Sequence, residues 1–210
     1  MRNTTPVAAR LHPNSDKLLR PLHAVLVDTR GLATIEFAMI LPVLLAAFLS
    51  TLYFSDLLMA RNKVTKAAFA VAEASAMDTS ITDTDMAAIL AAGRALLSPF
   101  DADASIVLTS VGPDGSGGHV VRWSDALGTS ANGEGAPFTF RSNVNASFGS
   151  VTNKPVQFAN VVVNYSSPLA AIWNSIPFMV YQLPVTTTVQ DEAYALPLGT
   201  AGKEWTERVP

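Results

Sequence analysis

Few residues of this chain have the types and spacing needed for chemistry, and the most informative of them lie at the start of one apolar segment. Glu36 stands five positions after Gly31 and directly before Phe37, where a run without charge begins. A carboxylate at the edge of an apolar helix is unusual enough to suggest a function. A structural explanation is also available, because the helix dipole favours a carboxylate in the first turns of a helix. Glu36 alone therefore leaves both interpretations open.

The apolar segment itself has the length and composition of a membrane span. Residues 37–55 are nineteen positions without a charged side chain, in a chain that is 49% hydrophobic and only 15% charged. At about 1.5 Å per residue, a helix of this length covers about 28 Å, close to the hydrocarbon thickness of a bilayer. Core helices of soluble proteins are usually shorter and amphipathic. The sequence therefore predicts one transmembrane helix that begins near Ala33.

The helical pattern continues beyond the apolar run. Residues 59–74 contain neither Pro nor Gly and are rich in Ala, the best helix former. Val64, Ala67, Ala68 and Val71 follow helical spacing, so we expect one helix to Ala76 that is in lipid first and half-buried on a domain afterwards. Pro42 lacks an amide hydrogen, so a kink is predicted there, which membrane helices tolerate.

Charge is distributed unevenly on the two sides of the span. Residues 1–30 carry five basic and two acidic side chains, a formal +3, whereas residues 61–210 carry nine basic and thirteen acidic ones, a formal −4. Basic residues near a span tend to remain cytoplasmic. We therefore expect residues 1–31 to be a cytoplasmic leader and the C-terminal domain to lie on the extracytoplasmic side.

The region after the long helix predicts an α+β domain. A second helix is expected from Asp83 to Leu97, with Thr82 or Thr84 as its cap and Ser98-Pro99 as its stop. Strand patterns follow, with one helical turn expected in the Pro-bounded insert 167–178; the predicted strands are 104–111, 119–123, 138–141, 156–165 and 179–190. We expect one or two helices packed on an antiparallel sheet. The predicted segments are 1–31 (leader), 32–76 (helix), 77–198 (domain) and 199–210 (loose tail).

Residues for catalysis or for metal and nucleic-acid binding are sparse. The chain has no Cys, and His119 is the only His after the span, beside a Gly-rich turn where exposure explains it best. The pairs Asp83/Asp85 and Asp101/Asp103 lack the Gly and distal Glu of a calcium loop. An acidic domain without interleaved basic and aromatic residues does not fit nucleic acid. We therefore expect no catalytic residue, cofactor or metal.

The segment 31–45, GLATIEFAMILPVLL, resembles the signature of the TadE-like family, membrane proteins of the tight-adherence (Flp) pilus apparatus. It also resembles the processing site of type IV pilins and pseudopilins. The resemblance implies that a prepilin peptidase cuts after Gly31, leaving Leu32 as the new N-terminus, with Glu36 and Phe37 completing the motif. A Gly suits such a cleft because it has no Cβ. Glu36 would then offset the new amine of a neighbouring subunit.

By this resemblance the chain is a non-enzymatic pseudopilin or minor pilus component that assembles or primes a pilus. The implied location is a bacterial inner membrane, and the implied partners are other pilins, the prepilin peptidase and the assembly platform, with no small-molecule substrate. The alternative is a membrane-anchored binding or sensor domain unrelated to pili. Five aromatic side chains could line its groove, although core packing is the better explanation for them: Phe138, Phe140, Phe158, Trp173 and Phe178.

Overall fold

The computed structural model describes residues 30–140, 155–177, 179–197 and 207–209. The leader, apart from its last two residues, lies outside these ranges. Helix α1 spans Arg30–Met77, 48 residues with Pro42 inside it, so the prediction of one continuous helix is confirmed. The chain divides into two compact units, residues 1–50 and 51–210. No Gly follows Gly31 within α1, which suits an uninterrupted helix.

Helix α2 spans Asp83–Leu97 and follows the short strand β1, Ser80–Thr82. Its start is fixed by a capping box, in which the Asp85 amide donates to Thr82 Oγ1 at 3.2 Å and the Thr82 amide donates to the Asp85 carboxylate at 3.1 Å. Two helix-end amide groups thereby gain partners. The helix ends at the C-cap Ser98, directly before Pro99. Both predicted bounds of this helix agree with the structure.

The main sheet has five antiparallel strands in the order β4-β3-β2-β5-β6. Helix α3, Pro168–Asn174, lies between β5 and β6 along the chain, where one helical turn was expected. A separate two-stranded parallel pair joins β1 to β7. The strands are β2 Ala104–Pro113, β3 His119–Leu127, β4 Pro137–Phe138, β5 Val156–Ser166, β6 Thr186–Ala195 and β7 Glu207–Val209.

One face of the sheet packs against α1 and α2 to form the core. The residues that α1 contributes to this core cluster are small and lie on one stripe: Ala60, Val64, Ala67, Ala68, Val71 and Ala72. Alternate residues of β5 (Ala159, Val161 and Val163) face them, as the two-residue period of a strand requires. The predicted α+β architecture, with a long apolar N-terminal helix, is therefore confirmed.

Four details of the predicted elements differ from the structure. The last strand was predicted over 179–190, but β6 begins at Thr186 and continues through Asp191 and Glu192 to Ala195. The strand predicted over 119–123 continues to Leu127 as β3. The strand predicted over 138–141 is shorter, because β4 spans Pro137–Phe138 and residues 139–140 are not in a strand. Residues 199–210 were predicted as a loose tail, whereas 207–209, the described part of that tail, form β7. The tail is therefore ordered at that point by pairing with β1.

Candidate functional site

The predicted processing motif lies in the first turns of α1 and faces open space. Among the described residues, no atom would come within 4 Å of a Cβ added at Gly31, and the Leu32 side chain is exposed. Amide groups in the first turn of a helix have no intrahelical acceptor. Local unwinding around the 31–32 peptide bond therefore breaks few hydrogen bonds, and a peptidase could bind this segment in extended form.

Glu36 and Phe37 lie one turn further along the same helix, and both side chains are exposed. Glu36 has no hydrogen bond or ion pair with any side chain that the structure describes. Around it, the large apolar residues of this part of the helix are also exposed: Leu32, Ile35, Met39, Ile40, Leu41, Val43, Leu44 and Leu45. The structure thus brings together one acidic side chain and an extended apolar surface.

Pro42 lies inside α1, and the helix continues on both sides of it. Because Pro has no amide hydrogen, the carbonyl of Ala38 loses its usual partner four residues on. About two turns after Pro42, Ser50 Oγ donates to the Ala46 carbonyl at 2.7 Å, a bond that keeps a hydroxyl satisfied where apolar residues surround it. The kink expected at Pro42 stays a prediction.

Within residues 51–210, polar contacts between described residues join α1 to the sheet and its loops. Tyr53 Oη donates to the Pro184 carbonyl at 3.5 Å, and Tyr165 Oη donates to the Asp56 carboxylate. Further along, the Thr65 hydroxyl donates to the Asp191 carboxylate. Burial raises the pKa of Tyr165, and the hydrogen bond to the Asp56 carboxylate raises it further. Tyr165 therefore stays a neutral donor at physiological pH.

The sequence did not reveal these partners. No local pattern in the sequence connects Asp56 with Tyr165, 109 positions away. The only signal was indirect: an acidic residue within a helix that must pack on a sheet needs a partner if it is half-buried.

Four of the five aromatic residues considered for a groove are described, and three of them pack with one another. The ring centroids of Phe138 and Phe140 are 5.2 Å apart, and those of Phe138 and Phe158 are 5.0 Å apart, in edge-on arrangements. His119 contacts Phe140 edge-on at 4.8 Å. Trp173 is buried in α3, and Phe178 lies outside the described residues. These four side chains therefore contribute to packing.

Together, the long helix α1 and the sheet define the class of the protein: in the residues that the structure describes, it is an α+β domain with one candidate membrane-spanning helix. Its most apolar 18-residue window has a mean hydropathy of 2.3, and none of that window is buried, unlike the core helix of a soluble protein. In the part of the chain that the structure describes, no group of three or more His, Cys, Asp or Glu side chains could hold a metal ion.

Residues 31–73 match the family model described as TadE-like protein. The match begins at Gly31 and lies entirely within α1, so the resemblance predicted from the sequence is confirmed over this helix. No curated protein and no solved structure matches the chain. The family match includes no residue of the sheet, so the similarity to the TadE-like family is limited to α1.

Proposed function

We propose that this chain is a non-enzymatic pseudopilin or minor component of a tight-adherence pilus, and that it acts in assembly or priming. The observation that carries the proposal is the TadE-like match over residues 31–73, together with the exposed apolar surface of the same helix. A helix that is apolar on all sides and not covered by its own domain needs lipid or other helices around it. A bilayer and a bundle of pilin helices both provide these surroundings.

The proposed orientation places residues 1–30 in the cytoplasm and the sheet domain outside. Its support is the formal +3 of the leader against the formal −4 of residues 61–210. In this orientation Gly31 lies at the cytoplasmic boundary of the inner membrane, where a prepilin peptidase would cut. The polar start of the mature chain would then remain at that boundary.

Glu36 is proposed to pair with a positive group of a neighbouring helix in the assembly. Its support is that Glu36 is exposed, without a described partner, in the middle of an apolar surface. An unpaired carboxylate in a low-dielectric bundle is costly, and removing one partner of a buried pair costs about 3–5 kcal/mol. The N-terminal amine left by cleavage after Gly31 is the positive group that the motif implies.

The first experiment determines the N-terminus of the protein isolated from its own membrane. Mass spectrometry should give Leu32 as the first residue, and Gly31→Val should leave the leader attached because the added side chain obstructs the cleft. Gly133→Ala serves as the control, because an added Cβ at this position meets no described atom within 4 Å. A mature protein that still begins at Met1 would exclude processing.

The second experiment tests Glu36 in a strain without the native copy. Glu36→Gln should insert into the membrane at normal levels but assemble few pili, because the pair with a positive group is lost. Glu73→Gln, which removes an exposed carboxylate from the same helix beyond the apolar part, serves as the matched control. Normal piliation with Glu36→Gln would return Glu36 to the structural explanation.

A membrane-anchored binding domain is the second candidate. Its support is the size of the sheet domain, which the family match does not cover. A ligand or a turnover found for the full-length protein, together with normal piliation after gene deletion, would favour this candidate.

A further inference from the structure

A second apolar surface lies on the loop between α3 and β6, here called the α3–β6 loop and defined as residues 175–177 and 179–185. Val180 is 94% exposed and Tyr181 is 84% exposed, and Val185 beside them is 42% exposed. The sequence from 156 to 190 contains no charged residue at all. A water-facing loop normally carries charged or small polar residues, so this composition indicates a partner surface.

The loop is held in its shape by hydrogen bonds from α3. Trp173 Nε1 donates to the Tyr181 carbonyl at 2.6 Å. The Asn174 side chain donates to the Leu183 carbonyl and accepts from the Leu183 amide, each at 2.9 Å. With its backbone groups bonded inward, the loop presents the Val180 and Tyr181 side chains outward. The side chains of Val180 and Tyr181 are therefore exposed on a loop whose backbone is held by hydrogen bonds.

The α3–β6 loop contacts α1 near the end of the charge-free run. Tyr53 Oη donates to the Pro184 carbonyl at 3.5 Å, so the loop lies beside the last turn of the charge-free run 37–55. The residues that flank Tyr53 on the helix, Leu52 and Phe54, are 39% and 56% exposed. The apolar surface of the loop therefore lies at the same level of α1 as the exposed apolar residues that end this run.

We propose that the α3–β6 loop is a second membrane contact, in which Val180 and Tyr181 enter the interfacial region of the bilayer that holds α1. The inference rests on the membrane anchoring in the proposed function. Tyr is enriched at membrane interfaces because its ring is apolar and its hydroxyl polar. The absence of charge removes the main cost of entering this region. We assign lipid as the occupant, because the loop contacts Tyr53 near the end of the charge-free run 37–55.

Two membrane contacts restrict the domain more than one does. With α1 alone, the domain can tilt and rotate about the helix axis at the membrane surface. A loop fixed to the same surface selects one face of the domain to lie towards lipid. In a pilus component, the choice of this face would also determine which strands of the sheet face the neighbouring subunits.

The test uses the full chain in proteoliposomes, where the absence of native Cys allows single labels. An environment-sensitive fluorophore is attached to V180C or Y181C, to V43C in the apolar part of α1, and to A131C on an exposed loop as the water-facing control. Each sample is quenched with brominated phospholipid and, separately, with iodide in the buffer. The labels at 180 and 181 should be quenched by lipid and shielded from iodide, as at 43, whereas the label at 131 should show the reverse.

The outcomes separate the two proposals. If the label at 43 is open to iodide, the membrane anchoring itself fails. If 43 is shielded while 180 and 181 are both quenched by iodide, the anchoring stands and the loop contact is overturned. If 180 and 181 escape both quenchers, and dilution of the protein in lipid restores iodide quenching, a second protein copy covers the loop and the lipid contact is again overturned. Circular dichroism of each labelled variant confirms that the domain is folded.

Discussion

Gly93 provides a sharp test of how α1 and α2 pack. It lies inside α2 and is buried, although Gly is a poor helix former. In the structure, a Cβ added at Gly93 would lie well inside van der Waals distance of Val71 Cγ2 and 3.2 Å from Ile106 Cδ1. The prediction is that Gly93→Ala destabilises the domain although Ala is the better helix former.

The magnitude follows from two opposing effects. Replacing Gly by Ala in a helix interior stabilises by about 1 kcal/mol. Overpacking a close-packed core costs about 1–3 kcal/mol. Here the cost should approach the upper value, because Val71 is β-branched and confined in its rotamer, and the fully buried Ile106 blocks relaxation on the other side. We expect a net loss of about 2 kcal/mol, the difference of these two terms.

Urea unfolding of the full chain in mild detergent, followed by tryptophan fluorescence, measures this change. With an m-value of about 2 kcal/mol/M, the midpoint should fall by about 1 M. Ala91→Gly, at an exposed position of the same helix, calibrates the propensity term at about 1 kcal/mol. In a Val71→Ala background, where the obstructing methyl groups are gone, Gly93→Ala should stabilise. A higher midpoint for Gly93→Ala alone, or the same effect in both backgrounds, would refute the packing argument.

Three further predictions concern the same domain. Because the pKa of Tyr165 is raised above its usual 10.0, the unfolding free energy should fall as pH rises above that value; Asp56→Asn should lower this pKa, measured by tyrosinate absorbance against Tyr165→Phe. Loss of the capping box in Thr82→Ala should cost about 1 kcal/mol in the same urea assay, and Thr82→Ser should retain most of it. Ala67→Leu should cost about 1–3 kcal/mol by overpacking the buried stripe, whereas Ala38→Leu should leave domain unfolding unchanged.

The helices could be predicted closely because their signals are local. The bounds of α2 follow from Thr82 at its cap and Ser98-Pro99 at its end, both of which act within a few residues. The second half of α1 could be placed by its apolar spacing, and Val64, Ala67 and Val71 are buried as that spacing required. In the candidate site, Gly31 and Glu36 could be selected by motif, although the sequence could not show that they face open space.

The last strand shows why the rest could not be predicted. Residues 179–190 have strand-like composition, yet β6 begins at Thr186, because Asn174 and Trp173 hold the preceding residues as a loop. The strand then runs through Asp191, which a local pattern would place in a turn. Asp191 is tolerated there because it accepts a hydrogen bond from Thr65, 126 positions earlier. Such partners are set by tertiary packing, which overrides strand propensity.

The two halves of α1 show how one helix meets two surroundings. Before Ser55 most of the large apolar side chains are exposed, Tyr53 being the buried exception, whereas beyond Met59 the buried stripe is mostly Ala, which lets α2 and the sheet approach closely. Since the family match covers both halves, the second half is as much part of the TadE-like pattern as the apolar half. One helix thus contains both the candidate membrane span and one side of the domain core. No break in the helix separates its apolar part from the stripe that packs in the core.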